Sequence, residues 1–261
     1  MKKIIFTDLD GTLLDYDDYS FEAAFSSLEI AKEKKIPIVI CTSKTRAEIE
    51  YWRDKLENKH PFISENGGAI FIPKKYFRFD FEYTYEDDYY VIFLGAEYDK
   101  ILGVMEKLKD EFDIKSFIDM SAKEIARNAN LTIEQAKLAK KREFEIPFII
   151  KDTDDKQKIF RRIRENGLKY TAGGRYYHLM GNNNKGRAIK ILKNLFERKF
   201  NEIYTIGIGD SKNDFSMLDS VDRGYLVMEK NGEYISHRYN PAGGIGPEGW
   251  GKVIEKEIKI S

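Results

Sequence analysis

Two short buried-strand patterns, each ending abruptly in aspartates, stand about 200 residues apart in this chain. The first is Ile4-Ile5-Phe6, followed by Asp8-Leu9-Asp10-Gly11-Thr12, and the second is Ile203–Ile208, followed by Gly209-Asp210-Ser211-Lys212-Asn213-Asp214. Carboxylates two residues apart at a strand end project on the same side, roughly 6–7 Å apart along the chain. Like charges that close raise one another's pKa unless a cation or a shared proton intervenes. Hard oxygen ligands drawn from two strand ends suit magnesium, which keeps waters and binds few carboxylates. The pattern predicts a metal-assisted site with one carboxylate free to act as a nucleophile.

Around these acids the chain alternates. A strand over 3–8, a helix near 21–34, a strand over 36–41 and a helix from about 46 succeed one another, the last opened by the capping-box spacing Thr45/Glu48. Pro61-Phe62-Ile63, the turn Ser64-Glu65-Asn66-Gly67-Gly68 and Ala69-Ile70-Phe71-Ile72 follow. The rhythm returns with an amphipathic helix over Lys185–Arg198, the strand Ile203–Ile208 and the strand Tyr225–Val227. Such alternation predicts an α/β fold, a doubly wound parallel-sheet (Rossmann-like) core whose ligands gather at the carboxyl ends of the strands. Between the two stretches, roughly 82–180 reads as a smaller α+β unit rich in aromatics, with strands at Tyr89–Leu94, Phe144–Ile150 and Arg175–Met180 and capping boxes at Ser121/Glu124 and Thr132/Gln135. The expected organisation is a core of 1–81 and 181–261 interrupted by a cap of 82–180. Gly243–Trp250 reads as a tail loop before a final short helix.

Composition narrows the partners. Lysine plus arginine equals aspartate plus glutamate, 44 of each, which argues against nucleic acid or an anionic membrane as a partner and leaves anion binding to local clusters. No apolar stretch approaches the roughly 20 residues that span a bilayer, and no leader-like apolar segment opens the chain. Cys41, the single cysteine, sits in a buried-strand pattern and reads as a core residue. A soluble cytoplasmic enzyme with a small-molecule substrate is expected, its oligomeric state open.

Lys185 opens a helix behind Gly181-Asn182-Asn183-Asn184, and Thr42-Ser43 follows the second strand. Together with the two acid clusters, in this order, they resemble the four motifs of the haloacid dehalogenase-like phosphohydrolases, and the insertion resembles that family's type-IIB cap. The resemblance implies roles. Asp8 would attack phosphorus to give an aspartyl-phosphate, and Asp10 would serve as acid and then base. Mg2+ would be held by Asp8, the Asp10 carbonyl and Asp210, supported by Asn213 and Asp214. Lys185 and Thr42 would cradle the phosphoryl group. Many relatives carry Gly-Arg where this chain has Ser43-Lys44, so the phosphate contact is either Thr42 or Ser43.

A finer set of segments resembles the mannosyl-3-phosphoglycerate phosphatases: Thr42-Ser43-Lys44-Thr45-Arg46, Ile63–Pro73, Arg142-Glu143-Phe144, Gly173-Gly174-Arg175-Tyr176-Tyr177-His178 and Gly246-Pro247-Glu248-Gly249-Trp250. A substrate with a carboxylate calls for cations, and Arg142 and Arg175, with Lys44 and Arg46, are the candidates. A glucosyl analogue, a broader sugar phosphate, a phosphomutase reaction and a noncatalytic sensor are the alternatives. His178 and its neighbours Tyr176 and Tyr177 read as packing residues of a strand.

Overall fold

A computed structural model describes residues 1–173 and 176–259. The core strands are β1 (Lys2–Thr7), β2 (Ile38–Cys41), β3 (Phe62–Ser64), β4 (Ala69–Pro73), β5 (Thr84–Glu86) and β6 (Tyr89–Phe93). Helices α1 (Phe25–Glu33) and α2 (Arg46–Lys55) lie between the first three. After the insertion come α7 (Lys185–Phe200), β11 (Ile203–Gly209), α8 (Phe215–Leu218), β12 (Arg223–Met228), β13 (Asn240–Ile245) and α9 (Gly246–Lys259). All nine strands form one sheet in the order β13-β12-β11-β1-β2-β3-β4-β6-β5. From β13 to β3 every pairing is parallel, and from β3 to β5 every pairing is antiparallel.

Strand periodicity divides the core residues between two faces. Ile5, Ile38, Ile40, Phe62, Ile206 and Ile208 pack with Trp52, Trp250, Val253 and Ile254 on one side. Ile4, Phe6, Val39, Cys41 and Ile63 pack with Ile189, Leu192, Phe196 and Met217 on the other. Cys41 is a buried free thiol, as the strand pattern predicts.

The insertion carries a second sheet, order β7-β8-β10-β9, all antiparallel: β7 (Ile114–Ser116), β8 (Glu145–Ile150), β9 (Lys169–Gly173) and β10 (Tyr176–Met180). Helices α3 (Tyr98–Glu111) and α6 (Lys156–Glu165) bury Ile101, Met105, Ile159 and Ile163 against Phe148 and Leu179. Helices α4 (Ala122–Ala129) and α5 (Ile133–Ala139) form a separate apolar cluster with Phe117 and Met120. All three expected capping boxes form, at Thr45, Ser121 and Thr132.

Two expectations are corrected. The strand at Tyr89, expected inside the cap from residue 82, belongs to the large sheet. Tyr89 pairs with Pro73 and packs edge-on against Phe62 and Phe71, so the second sheet's elements begin beyond Phe93. The expected tail loop is instead the end of β13, Gly243–Ile245, and the start of α9, Gly246–Trp250; Trp250 is fully buried, with Nε1 donating to Thr7 Oγ1 at 3.1 Å. Among the described residues no helix is long and apolar enough to cross a membrane.

Candidate active site

The acids gather where the parallel strands end. Asp8 follows β1, and its backbone N–H continues the ladder to Ile208 O at 3.0 Å. Its Oδ1 accepts from Leu9 N at 2.8 Å, which turns the carboxylate over the strand end. Gly11 supports this turn with φ +69°, and a Cβ there would stand 3.0 Å from Asp210 Oδ2. The two acid clusters therefore touch, and Thr12 Oγ1 donates to Asp210 Oδ1 at 3.0 Å.

Asp8, Asp210 and Asp214 each present an oxygen within 4.8 Å of the others. Lys185, fully buried at the start of α7, reaches Asp214 Oδ1 at 2.6 Å and Asp8 Oδ2 at 3.2 Å. Burial opposes its charge, but Asp214 and Asp8 more than compensate and hold its pKa above the ordinary lysine value. One ammonium does not balance three carboxylates. Burial, Asp214 and Asp8 together push Asp210 well above the usual carboxylate range. The donor set fits a hard divalent cation. Asp214 has both oxygens engaged, Oδ1 by Lys185 and Oδ2 by the N–H groups of Asp210 and Ser211, both at 3.1 Å. Asp8 is engaged in the same way, Oδ1 by Leu9 N and Oδ2 by Lys185, so all three carboxylates border the space that a cation would fill.

Asp10 Oδ2 meets Lys44 Nζ at 2.9 Å, while its buried Oδ1 has no hydrogen-bond partner among the described residues. Burial raises the Asp10 pKa, against the pull of Lys44. Lys44 also reaches Glu48 at 3.5 Å and lies over the Tyr19 ring. It is thus an acid partner within the site as well as a cation on its wall. A cavity opens above, with Asp8, Asp10 and Asp210 on its floor and Ser43 and Lys44 beside them. Arg142, Tyr176 and His178 of the inserted segment complete it. Ser43 lines this space, whereas Thr42 is buried at the end of β2 and its Oγ1 accepts from Lys44 N at 3.4 Å.

The other expected residues are placed as follows. Arg142 lines the cavity, but Nη1 donates to Ser43 O at 2.7 Å and Glu145 Oε1 at 2.8 Å, and Nε donates to Ala139 O at 2.9 Å. Arg46 is a correction. As the first residue of α2 it turns away from the cavity to Glu50, Glu86 and Asp87, over the rings of Phe71 and Tyr89. Arg175 lies outside the described residues. Asn213 stands beside the acids and donates Nδ2 to Asn66 Oδ1 at 3.1 Å.

Sequence reasoning missed the polar hub joining this loop to the insertion. Glu65, fully buried, accepts from the N–H groups of Glu143, Phe144 and Glu145 at 2.9–3.0 Å. Burial and the neighbouring Glu145 push its pKa up to about 8, against the pull of Arg142 and those N–H groups. Asn66 donates Nδ2 to Glu145 Oε2 at 2.8 Å. Glu65 and Asn66 both have left-handed backbone, φ 44° and 54°. A side chain at Gly68 would strike Phe144 at 2.4 Å. The only signal was the run Ser64–Gly68, which reads as an ordinary turn.

A haloacid dehalogenase-like hydrolase family model matches residues 5–237. The chain belongs to the haloacid dehalogenase-like hydrolases. It is 46% identical to the glucosyl-3-phosphoglycerate/mannosyl-3-phosphoglycerate phosphatase of Methanococcoides burtonii, over 97% of this chain and 96% of that one. It is 39% identical to the mannosyl-3-phosphoglycerate phosphatase of Pyrococcus furiosus, over 87% of this chain and 91% of that one. In fold it is similar to the Thermoplasma acidophilum protein 0175, with TM-score 0.70 and 20% identity over the whole of both chains.

Proposed function

We propose that this chain is a magnesium-dependent phosphatase that hydrolyses 2-O-(α-mannosyl)-3-phosphoglycerate to mannosylglycerate and inorganic phosphate. The observation that carries the reading is Asp8, held between Lys185 and the Asp210 carboxylate on the floor of a cavity roofed by the insertion. The names carried by relatives that match nearly the whole chain supply the substrate class.

An Asp8 carboxylate oxygen attacks phosphorus, and the bond from phosphorus to the glycerate oxygen breaks. Asp10 gives its proton to that leaving oxygen. Water then attacks the aspartyl-phosphate, Asp10 takes the proton, and phosphate departs as the Asp8 carboxylate is restored. Asp8, Asp210 and the Asp10 carbonyl would hold Mg2+, with Asn213 and Asp214 in support, and the cation supplies charge neutralisation at the phosphoryl oxygens. Lys185 adds a second fixed positive charge beside the nucleophile. Ser43 and Thr42, at the end of β2, are the hydroxyls for the phosphoryl group. Lys44 and Arg142, with Arg175, supply positive charge for the glycerate carboxylate. The segment beyond Phe93, up to Met180, serves as the cap.

A second reading is that the glucosyl ester is hydrolysed too, since the Methanococcoides relative carries both sugars in its name. The experiment is phosphate release from the mannosyl and glucosyl esters, 3-phosphoglycerate and mannose 6-phosphate, with magnesium and after exhaustive chelation. Turnover of the mannosyl ester that requires the cation is expected. Full activity without any divalent ion, or preference for 3-phosphoglycerate, would overturn the reading.

A further inference from the structure

We infer that His178 is a specificity-determining residue whose Nε2 accepts a hydrogen bond from a hydroxyl of the substrate's sugar, and that Glu145 is its positioning residue. This rests on the proposed action on a sugar-bearing phosphate ester.

His178 lies on β10 in the cavity wall contributed by the insertion. Its Nδ1 stands 2.7 Å from Glu145 Oε1. Glu145 is fully buried. Burial alone would raise its pKa, but His178, Arg142 and the Asn66 amide hold it below the usual carboxylate value. An ionised carboxylate only accepts, so Nδ1 carries the proton in this pair. Among the described residues the His178 side chain has one hydrogen bond, through Nδ1 to Glu145, and it borders the cavity with Nε2 as its remaining polar atom.

Charge decides what such an atom can read. Arg142 Nη1 sits on the same Glu145 oxygen at 2.8 Å and supplies its counter-charge. In the tautomer that donates from Nδ1 to Glu145, the ring offers a lone pair on Nε2. A lone pair repels phosphate and carboxylate oxygens and accepts from an O–H. Of the three parts of the proposed substrate, the sugar is the one rich in such donors.

The placement is fixed at a second level. Glu145 Oε2 is held by Asn66 Nδ2 at 2.8 Å, and Asn66 Oδ1 by Asn213 Nδ2 at 3.1 Å. Two side chains therefore tie the ring that reads the sugar to the loop that carries Asp210 and Asp214.

The test uses His178→Asn, whose amide can keep the bond to Glu145 but has nothing at the Nε2 position, and His178→Gln, whose amide reaches that position. Glu145→Gln tests the positioning. Each is assayed for kcat and KM on mannosyl-3-phosphoglycerate, mannose 6-phosphate and p-nitrophenyl phosphate. His178→Asn should lose about 10–100-fold in kcat/KM on the sugar esters, the size expected for one hydrogen bond to a buried group, chiefly through KM. It should lose less than about 3-fold on p-nitrophenyl phosphate, which has no sugar. His178→Gln should recover part of the sugar preference, and Glu145→Gln should lose it with little effect on p-nitrophenyl phosphate.

A folded His178→Asn enzyme with unchanged sugar kinetics, or equal losses on all three esters, would overturn the assignment. Should that variant not fold, equal losses on all three esters in His178→Gln would overturn it likewise. A wild-type enzyme inactive on mannosyl-3-phosphoglycerate but active on mannose 6-phosphate refutes the proposed substrate alone, and the variants still decide His178 on the second ester. Activity on p-nitrophenyl phosphate alone overturns both.

Discussion

Replacing Asp210 with Asn should make the metal-free protein more stable while abolishing its activity. Asp8, Asp210 and Asp214 approach within 4.8 Å, and Lys185 contacts only Asp8 and Asp214. At that separation two unit charges repel by about 3.5 kcal/mol at an effective dielectric of about 20. Asp210 is half-buried, and its raised pKa means that partial protonation already relieves part of this repulsion. An asparagine oxygen can still accept from Thr12. The net gain at pH 7 in chelator should be about 1–2 kcal/mol, or about 2–8 °C in Tm for a chain of this size. The pH dependence has a definite sign. A carboxyl with a raised folded-state pKa contributes no penalty below about pH 4, where it is protonated folded and unfolded alike, and destabilises progressively as pH rises toward the raised value. The advantage of the variant should therefore vanish below about pH 4 and be largest at neutral pH. Thermal melts of both proteins from pH 4 to 8, in chelator and in magnesium, provide the assay, with phosphate release as the activity control. Magnesium should raise the wild-type Tm and barely move the variant. A variant that melts below wild type in chelator, or gains as much from magnesium, would refute the premise that these acids repel one another until a cation arrives.

Three further outcomes are expected. Asp10→Asn should lower kcat/KM, which reports transfer of the phosphoryl group to Asp8, about 10²–10⁴-fold on alkyl phosphates and far less on p-nitrophenyl phosphate, whose leaving group needs no proton; equal losses in kcat/KM on both would remove the acid role. Arg142→Ala should destabilise the protein by about 3–5 kcal/mol by leaving buried Glu145 without its cation, and a melt within 1 °C of wild type would show that the pair is dispensable. Trp250→Phe should cost about 1–3 kcal/mol through the lost bond to Thr7 and the volume deficit, and denaturant titration would expose an error if the midpoint did not move.

The acid site was legible in the sequence because strand ends and aspartates are both local signals. An apolar run places the backbone, and the next carboxylates must emerge at its carboxyl end, as Asp8 and Asp210 do. The capping boxes at Thr45, Ser121 and Thr132 were legible for the same reason, since three-residue spacing closes the hydrogen bonds by itself. Sheet membership was not. Tyr89–Phe93 has the composition of either sheet, and its place is set by the open edge of β4, which no local pattern announces. Gly246–Trp250 resembled a loop because of its glycines, yet it opens α9, which carries Trp250 into the pocket beside Thr7. Arg46 and Lys44 are two residues apart, but Lys44 lies before the N-cap Thr45 and reaches Asp10, whereas Arg46 opens α2 and reaches Asp87. His178 looked like a strand filler because its meaning depends on Glu145, 33 positions away.

The pairing of β1 with both β2 and β11 also sets a timetable for biosynthesis. β2 follows β1 by a few dozen residues, but β11 lies on the far side of the whole insertion. At about 5–20 residues per second the ribosome needs roughly 10–40 s to deliver it. During that interval the second hydrogen-bonding edge of Lys2–Thr7 is open, with Ile4, Ile5 and Phe6 lacking part of their cover, the condition under which nascent chains pair with the wrong neighbour. Asp8, directly beyond that edge, keeps a charge there until Ile208 and Asp210 arrive. The carboxylate proposed as the nucleophile would thus also discourage wrong strand pairing while the chain is unfinished.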